Sequence, residues 1–309
     1  MPVLNLTSRQ LAAVVAVEER QNISHAAIEL SMSQPALSRL ISRIESELET
    51  QLFDRDGRGV SPTEAGRRLA EHAREVLRQL GDMEDDIRSL DGELRGRICV
   101  AMPETIGHAL FLPLIDRCAE IHPAVELRVM GTHPNNVPSA LGAGDGDVGV
   151  VSSAHKQGSL HVRPFAVECL HLVGPQNSPF TGDTRLADVA ALPLALPGIQ
   201  PGLRREIDAA FASQGLKPNV VMELDSQDAL IELIRYRELH SIMSFAGVMR
   251  YVHRGELTAS RIVDPTIDRT LSTALPDNRP ASALMRALDN EIHSLAADLA
   301  PETRWHPHD

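Results

Sequence analysis

The chain has 309 residues and a formal net charge of −12, with 30 Lys and Arg set against 42 Asp and Glu. That length predicts about two domains at ~150 residues each, and no stretch approaches the ~20 continuous apolar residues that a membrane span needs. The N-terminus carries no basic and apolar export pattern, so the expectation is a cytoplasmic protein without a membrane contact.

Leu6 to Glu19 reads as a first helix, with Leu11, Val14 and Val15 along its apolar side. A short second helix follows Ser24, and its small Ala26 and Ala27 let a neighbour cross closely. The Ser31-Met32-Ser33 turn then leads straight into a third helix, which is the spacing of a helix-turn-helix. In that third helix Leu37, Leu40, Ile41, Ile44 and Leu48 form a buried stripe, whereas Gln34, Ser38, Arg39, Ser42 and Arg43 lie off it. Ser33 is a natural N-cap and Pro35 suits the first turn. Exposed Gln, Ser and Arg on the first turns present donors and acceptors sized for base edges and phosphates in a major groove. Leu52 to Val60 has an apolar anchor and a glycine-marked turn, and reads as a winged hairpin with Arg55 and Arg58 placed for phosphates. The overall negative charge does not oppose this, because acids crowd residues 82–93 and the C-terminal part while Arg39, Arg43, Arg55 and Arg58 set the local field.

Leu69, Ala73, Val76, Leu80, Met83, Ile87, Leu90 and Leu94 then alternate in steps of four and three, a heptad seam that predicts a coiled-coil dimer. The helix starts either at Ser61, with Pro62 in first position and Glu64 completing a capping box, or with Thr63 as the cap. Asp91-Gly92 and Gly96 end it. From Arg97 on, strand-length apolar runs (98–102, 125–130, 147–151) alternate with helical patterns (107–121, 135–142), and a second set of strands follows at 170–173, 192–196, 220–224 and 241–245. The chain returns through 270–274 and a last helix over 281–299. The expected fold is α/β with mostly parallel strands. The domain plan is a winged helix-turn-helix over 1–63, a linking and dimerising helix over 64–94 and an effector-binding domain over 95–309. Its first subdomain takes about 95–165 and 269–309, its second about 166–268.

A ligand cleft belongs where strand ends meet helix N-termini, whose unpaired N–H groups favour an anion. Four loops fit: Pro103-Glu104-Thr105-Ile106, Gly131-Thr132-His133, the Pro197-Gly198-Ile199-Gln200-Pro201-Gly202 run, and Ser226 at a helix start. Ordinary capping is the competing reading of each hydroxyl. Arg204 is placed to pair a carboxylate bidentately, with a surface ion pair as its alternative. Glu104 and His133 leave room for a cationic or amphoteric ligand.

Ala26-Ala27 with Leu30, the run SQPALSRLISRIESEL (33–48), the run LFDRDGRGVSPTEAG (52–66) and the order of elements resemble the LysR-type transcriptional regulators. Residues 103–144 and 193–264 are most similar to the nitrogen-assimilation-control branch. The resemblance implies a surface of Ser24, Ser33, Gln34, Pro35, Ser38, Arg39, Arg43, Arg55 and Arg58 on an interrupted palindromic operator in double-stranded DNA. It implies a bacterial homotetramer built as a dimer of dimers, a contact with RNA polymerase, and an effector half like the type 2 periplasmic binding proteins. There Thr105 and Thr132 match positions that touch the effector, with Ile106, His133, Pro197, Gly198, Gln200, Arg204, Ser226, Ser244 and Phe245 around them. The expected effector is a small polar metabolite, anionic rather than not. Where relatives carry a small glycine-containing turn, Arg235-Tyr236-Arg237-Glu238-Leu239-His240 stands here, and its bulk would reshape or close the cleft rim.

Cys99, Cys118 and Cys169 are odd in number and lie among apolar neighbours, which favours buried free thiols over disulfides or metal. Peroxide-sensing relatives use a cysteine pair in the second subdomain, and no cysteine follows Cys169, which argues against such a switch. The 13 histidines are scattered without metal-ligand spacing, and His306 and His308 fall in an expected frayed tail. Gly144-Asp145-Gly146-Asp147 reads as a turn, and no nucleophile elbow or phosphate loop occurs. No enzyme activity, cofactor or metal is expected. The readings in order are a ligand-responsive regulator, a constitutive DNA-binding regulator with a vestigial or closed cleft, and a metabolic enzyme.

Overall fold

The computed structural model describes residues 6–308 apart from 57–58, 90–92, 153–159 and 199–201. The chain divides into two compact units, Met1–Arg88 and Ser89–Asp309.

In the first unit α1 (Ser8–Arg20) opens on a capping box: Gln10 N–H donates to Thr7 Oγ1, and Thr7 N–H donates back to Gln10 Oε1 at 2.8 Å. The second helix, α2 (Ile23–Glu29), is capped by Asn22, whose Oδ1 accepts from Ser24 and His25 N–H. Ser24 therefore sits inside the first turn rather than ahead of it. Ser33 caps α3 (Gln34–Glu47). Leu37, Ile41 and Ile44 are fully buried there against Val14, Val17, Ala26 and Ala27, while Leu40 and Leu48 pack at the edge. The strands β1 (Phe53–Asp56) and β2 (Gly59–Pro62) pair antiparallel as a hairpin. Glu45 fixes that hairpin to α3, since its Oε1 accepts from both Leu52 N–H and Phe53 N–H at 2.9 and 3.1 Å. Thr63 is the cap of α4 (Glu64–Arg88), with Gly66 N–H donating to Thr63 Oγ1, and Pro62 remains in β2. A Cβ on Gly66 would stand 2.1 Å from the Leu52 carbonyl oxygen, so only glycine lets this turn approach the hairpin.

The second unit runs β3 (Gly96–Pro103), α5 (Glu104–Ile121), β4 (Val125–Thr132), a 3₁₀ turn at Pro134–Asn136, α6 (Val137–Ala143) and β5 (Val148–Ser152). It continues with β6 (Leu160–Pro175), β7 (Thr184–Arg185), α7 (Leu186–Val189), β8 (Leu194–Leu196), α8 (Leu203–Ser213), β9 (Val220–Glu223), α9 (Gln227–Arg237) and β10 (Ser241–Ser244). Then come α10 (Phe245–His253), β11 (Leu257–Val263), β12 (Asp268–Pro276), α11 (Ala283–Thr303) and β13 (Trp305–Pro307). Nine of these strands form one sheet whose main path is β4-β3-β5-β12-β6-β11-β7, with β10 and β13 also on β6, while β8 and β9 pair separately. One core gathers Val100, Met102, Leu110, Leu114, Leu288, Ile292 and Trp305. A second gathers Leu170, Leu172, Leu194, Ile207, Phe211 and Ile242. They define two lobes.

Four expectations need correction. The sheet is not mostly parallel: β6 pairs antiparallel with β10, β11, β12 and β13. Its 16 residues form one strand that runs from one lobe into the other, where the sequence pattern marks only 170–173. The first half reads weakly because it is mostly exposed and because Pro164 accompanies a register shift. Helix α10 and strand β11 escaped the pattern, their residues being neither cleanly alternating nor capped. The tail is not frayed at His306, since Trp305 is buried and β13 pairs with β6. Leu94 leaves the heptad seam and packs on the first lobe's core.

His171 on β6 is buried beside the Phe245 ring, 5.3 Å between centroids, and burial pushes its pKa down from 6.5 to about 4. The folded form holds a neutral ring where the unfolded chain binds a proton. Its contribution is complete above pH 6.5 and is lost as pH falls towards 4, by up to about 1.4 kcal/mol per pH unit for one proton. Thermal unfolding followed from pH 7 to 4 should show this slope in the parent and a shallower one in His171→Gln.

Candidate functional site

The DNA-facing candidates share one surface of the first unit. Ser33, Gln34, Pro35, Arg39 and Arg43 are exposed on α3, on the side opposite Leu37, Ile41 and Ile44. Ser38 is half-buried, and Ser24 is exposed in the first turn of α2. Among the described residues Arg39 has no carboxylate partner, whereas Arg43 Nε donates to Glu47 Oε1 at 2.8 Å one turn on. An exposed pair of this kind is worth little, so a phosphate can take Arg43 over. Arg58 and the side chain of Arg55 lie outside the described residues. Sequence reasoning missed Glu45, because an acid near Glu47 at the end of α3 reads as solvated until the hairpin's Leu52 and Phe53 N–H groups are placed against it.

The expected seam on α4 divides. Ala73 is buried in its own unit and Leu69 packs on the winged-helix core, so neither is available to a partner helix. Arg74 reinforces this packing by pairing with Glu18 and Glu19 of α1. Beyond it Val76, Leu80, Met83 and Ile87 are 44, 38, 56 and 65% exposed, an apolar stripe on a helix otherwise rich in charge. Leu90 lies outside the described residues.

In the second unit a cavity of about 140 Å³ opens between the lobes. Thr105, His133, Pro134, Asn135, Val162 and Arg269 line it from the first lobe, and Pro197, Gly198, Arg204, Asp225, Gln227, Leu230, Ile242 and Ser244 from the second. The lining omits four predicted residues. Ile106 is fully buried in the core and Phe245 is covered by the Arg304 guanidinium 3.8 Å above its ring. Ser226 caps α9 by accepting from Ala229 N–H. Thr132 is half-buried beside the cavity but not on its wall. Gln200 lies outside the described residues. Residues 235–240 leave the cavity open: Arg235 pairs with Glu232 and Glu256, Tyr236 points to solvent, and His240 is buried against Ser178.

Arg204 does not await a ligand. Its Nε donates to Asp208 Oδ1, and its Nη1 donates to Glu223 Oε1 and the Pro197 carbonyl, at 2.8 to 3.0 Å. Burial alone would lower its pKa, but the Glu223 and Asp208 carboxylates outweigh burial and hold it above the ordinary value. Arg269, an arginine inside an apolar strand that sequence reasoning passed over, is committed to the buried Glu168, which also accepts from Ser244 Oγ. Asp225 Oδ1 accepts from Gly198 N–H at 3.0 Å. The three cysteines are free and buried, and burial raises each thiol pKa, that of Cys169 to about 11, so none is poised as a redox nucleophile. Among the described residues no acid, His and Cys cluster is built for a metal, and no helix is long and apolar enough to cross a membrane.

Residues 8–67 match the model of the bacterial regulatory helix-turn-helix proteins of the lysR family, and residues 91–296 match the LysR substrate binding domain. The chain is 26% identical to the nitrogen assimilation regulatory protein nac of Klebsiella aerogenes, covering 96% of this chain and 97% of that protein. It is 27% identical to a probable RuBisCO transcriptional regulator of Cyanophora paradoxa, covering 97 and 95%. Among solved structures, full-length CbnR complexed with its target DNA aligns with a TM-score of 0.69 at 23% identity over 93% of this chain and 98% of that one. A full-length OxyR variant from Pseudomonas aeruginosa aligns with a TM-score of 0.70 at 21% identity over 94 and 98%.

A charge placed in the exposed stripe of α4 tests what covers it. Leu80→Asp should leave each unit folded, because Leu80 lies outside both cores, yet lower the sedimentation coefficient if a partner helix buries the stripe, at a cost of several kcal/mol per desolvated charge. Unchanged sedimentation would remove α4 from the assembly contact.

Proposed function

The chain belongs to the LysR family of transcriptional regulators, and from that premise we propose that it reads an interrupted palindrome in double-stranded DNA through α3 and the β1–β2 hairpin. The observation that carries this is the two-sided α3: Leu37, Ile41 and Ile44 fully buried, Gln34, Arg39 and Arg43 exposed on the other side. Phosphate contacts from arginine supply affinity and base-edge contacts supply discrimination. One helix has few cations to offer, so two half-sites on one dimer are needed for tight binding. We assign the dimer contact to Val76, Leu80, Met83 and Ile87, and a dimer of dimers to the full assembly, working in the cytoplasm beside RNA polymerase.

A small metabolite held between the lobes would bias one arrangement of the effector half over another, and its differential affinity sets the size of the response, typically ~1 to 3 kcal/mol. The open cavity favours this over a constitutive regulator with a closed cleft. The protein's chemistry in this reading is binding throughout, with no catalytic step.

Gln34→Ala and Arg39→Ala should each cost about 1 to 3 kcal/mol at the cognate site and little elsewhere. Arg43→Ala, as a phosphate contact, should weaken all sequences alike and reduce the salt slope by about one. Fluorescence titration of operator and random duplexes over a range of salt separates the two classes, and unchanged affinity in all three variants would remove α3 from the interface.

A further inference from the structure

The charges around the cleft specify its ligand more narrowly than the family does. Both arginines in the described lining already have anions: Arg204 holds Asp208 and Glu223, and Arg269 holds Glu168. His133 Nδ1 is engaged locally, as the acceptor for Asn135 N–H at 3.3 Å. Asp225 is the exception. Its Oδ1 accepts from Gly198 N–H, and no cation pairs with it among the described residues. A helix N-terminus contributes only about half a positive charge. At the start of α8 that half charge faces Glu206 in the first turn, and at the start of α9 it faces Asp228. The balance around the cavity is therefore negative. Among the described residues, an anion entering it would be desolvated beside carboxylates with no guanidinium free to receive it.

Apolar side chains make up much of the remaining wall, with Val162, Leu203, Leu230 and Ile242 facing the cavity beside neutral polar groups such as Thr105, Gln227 and Ser244. Its volume of about 140 Å³ is comparable to the ~150 Å³ cavity that admits benzene. We propose that the cleft takes an organic amine, its ammonium group on Asp225 and an apolar body of about one ring against Val162, Leu203, Leu230 and Ile242. This rests on the cleft being the effector site of the regulator, and it replaces the anionic ligand expected from helix N-termini alone.

The test is calorimetric titration of the full-length protein at neutral pH with three probes of matched size: 2-phenylethylammonium, 3-phenylpropionate and 2-phenylethanol. The ammonium should bind at least about tenfold tighter than the carboxylate. Asp225→Asn retains an acceptor for Gly198 N–H, and should remove that preference while leaving the alcohol's affinity unchanged. A carboxylate that binds as tightly as the ammonium overturns the proposal, as does a preference that survives Asp225→Asn, or an ammonium and an alcohol that both fail to bind at millimolar concentration. Operator affinity measured with the same probes separates the two levels. If the carboxylate binds and shifts operator affinity, the amine falls and the effector site stands. Ammonium binding that requires Asp225 yet leaves operator affinity unmoved keeps the amine site and removes its regulatory role.

Discussion

Glu168 and Arg269 face each other on β6 and β12 where the two lobes share a sheet, both nearly excluded from water. A buried ion pair is a poor source of net stability, because desolvating two charges costs about as much as their attraction returns. Losing one partner is another matter, since the remaining charge then stands alone in a low dielectric. The pair is better understood as a constraint of position. Ser244, which ends β10 in the second lobe, donates to the same carboxylate, so one acid ties the second lobe's strand end to the shared sheet. Both Arg269 and Ser244 line the cleft. A wall of the cavity and the joint between the lobes thus share one hydrogen-bonded cluster, and a change in lobe angle would alter that wall.

The N-terminal unit was legible because its local rules agree with one another. The cap at Ser33 and the apolar periodicity of α3 specify the same packing, whereas the choice of Thr63 over Ser61 as the cap of α4 and the close approach at Gly66 come only with the fold. Where those rules fall silent, the reading falters. Asn22 rather than Ser24 caps α2, a choice between neighbouring polar residues that only the backbone decides. In α4 a heptad pattern cannot say which of its apolar residues serve the chain's own core, and Leu69 and Ala73 proved to do so.

The effector half was legible in its strands and less so in its wall. Single-lobe features such as β3, β4 and α9 follow from periodicity, whereas the cleft collects residues from segments far apart in sequence. Arg269 and Asp225 carry no local signature, and Arg204 shows its commitment only once Asp208 and Glu223 are placed around it. Anion recognition inferred from helix starts is an argument from half charges.

The helix α4 is joined to α1 at Arg74, seated on the hairpin at Gly66 and continuous to Arg88. At 1.5 Å per residue its 25 residues form a rod about 37 Å long, anchored in the reading domain at one end and carrying one apolar stripe along its otherwise charged far half. The angular phase between that far stripe and the exposed side of α3 is then set by residue count, at about 100° per residue. Partnering along the stripe would fix the direction in which each recognition helix points, and the separation of two half-sites on the duplex would be written in the pitch of a single helix.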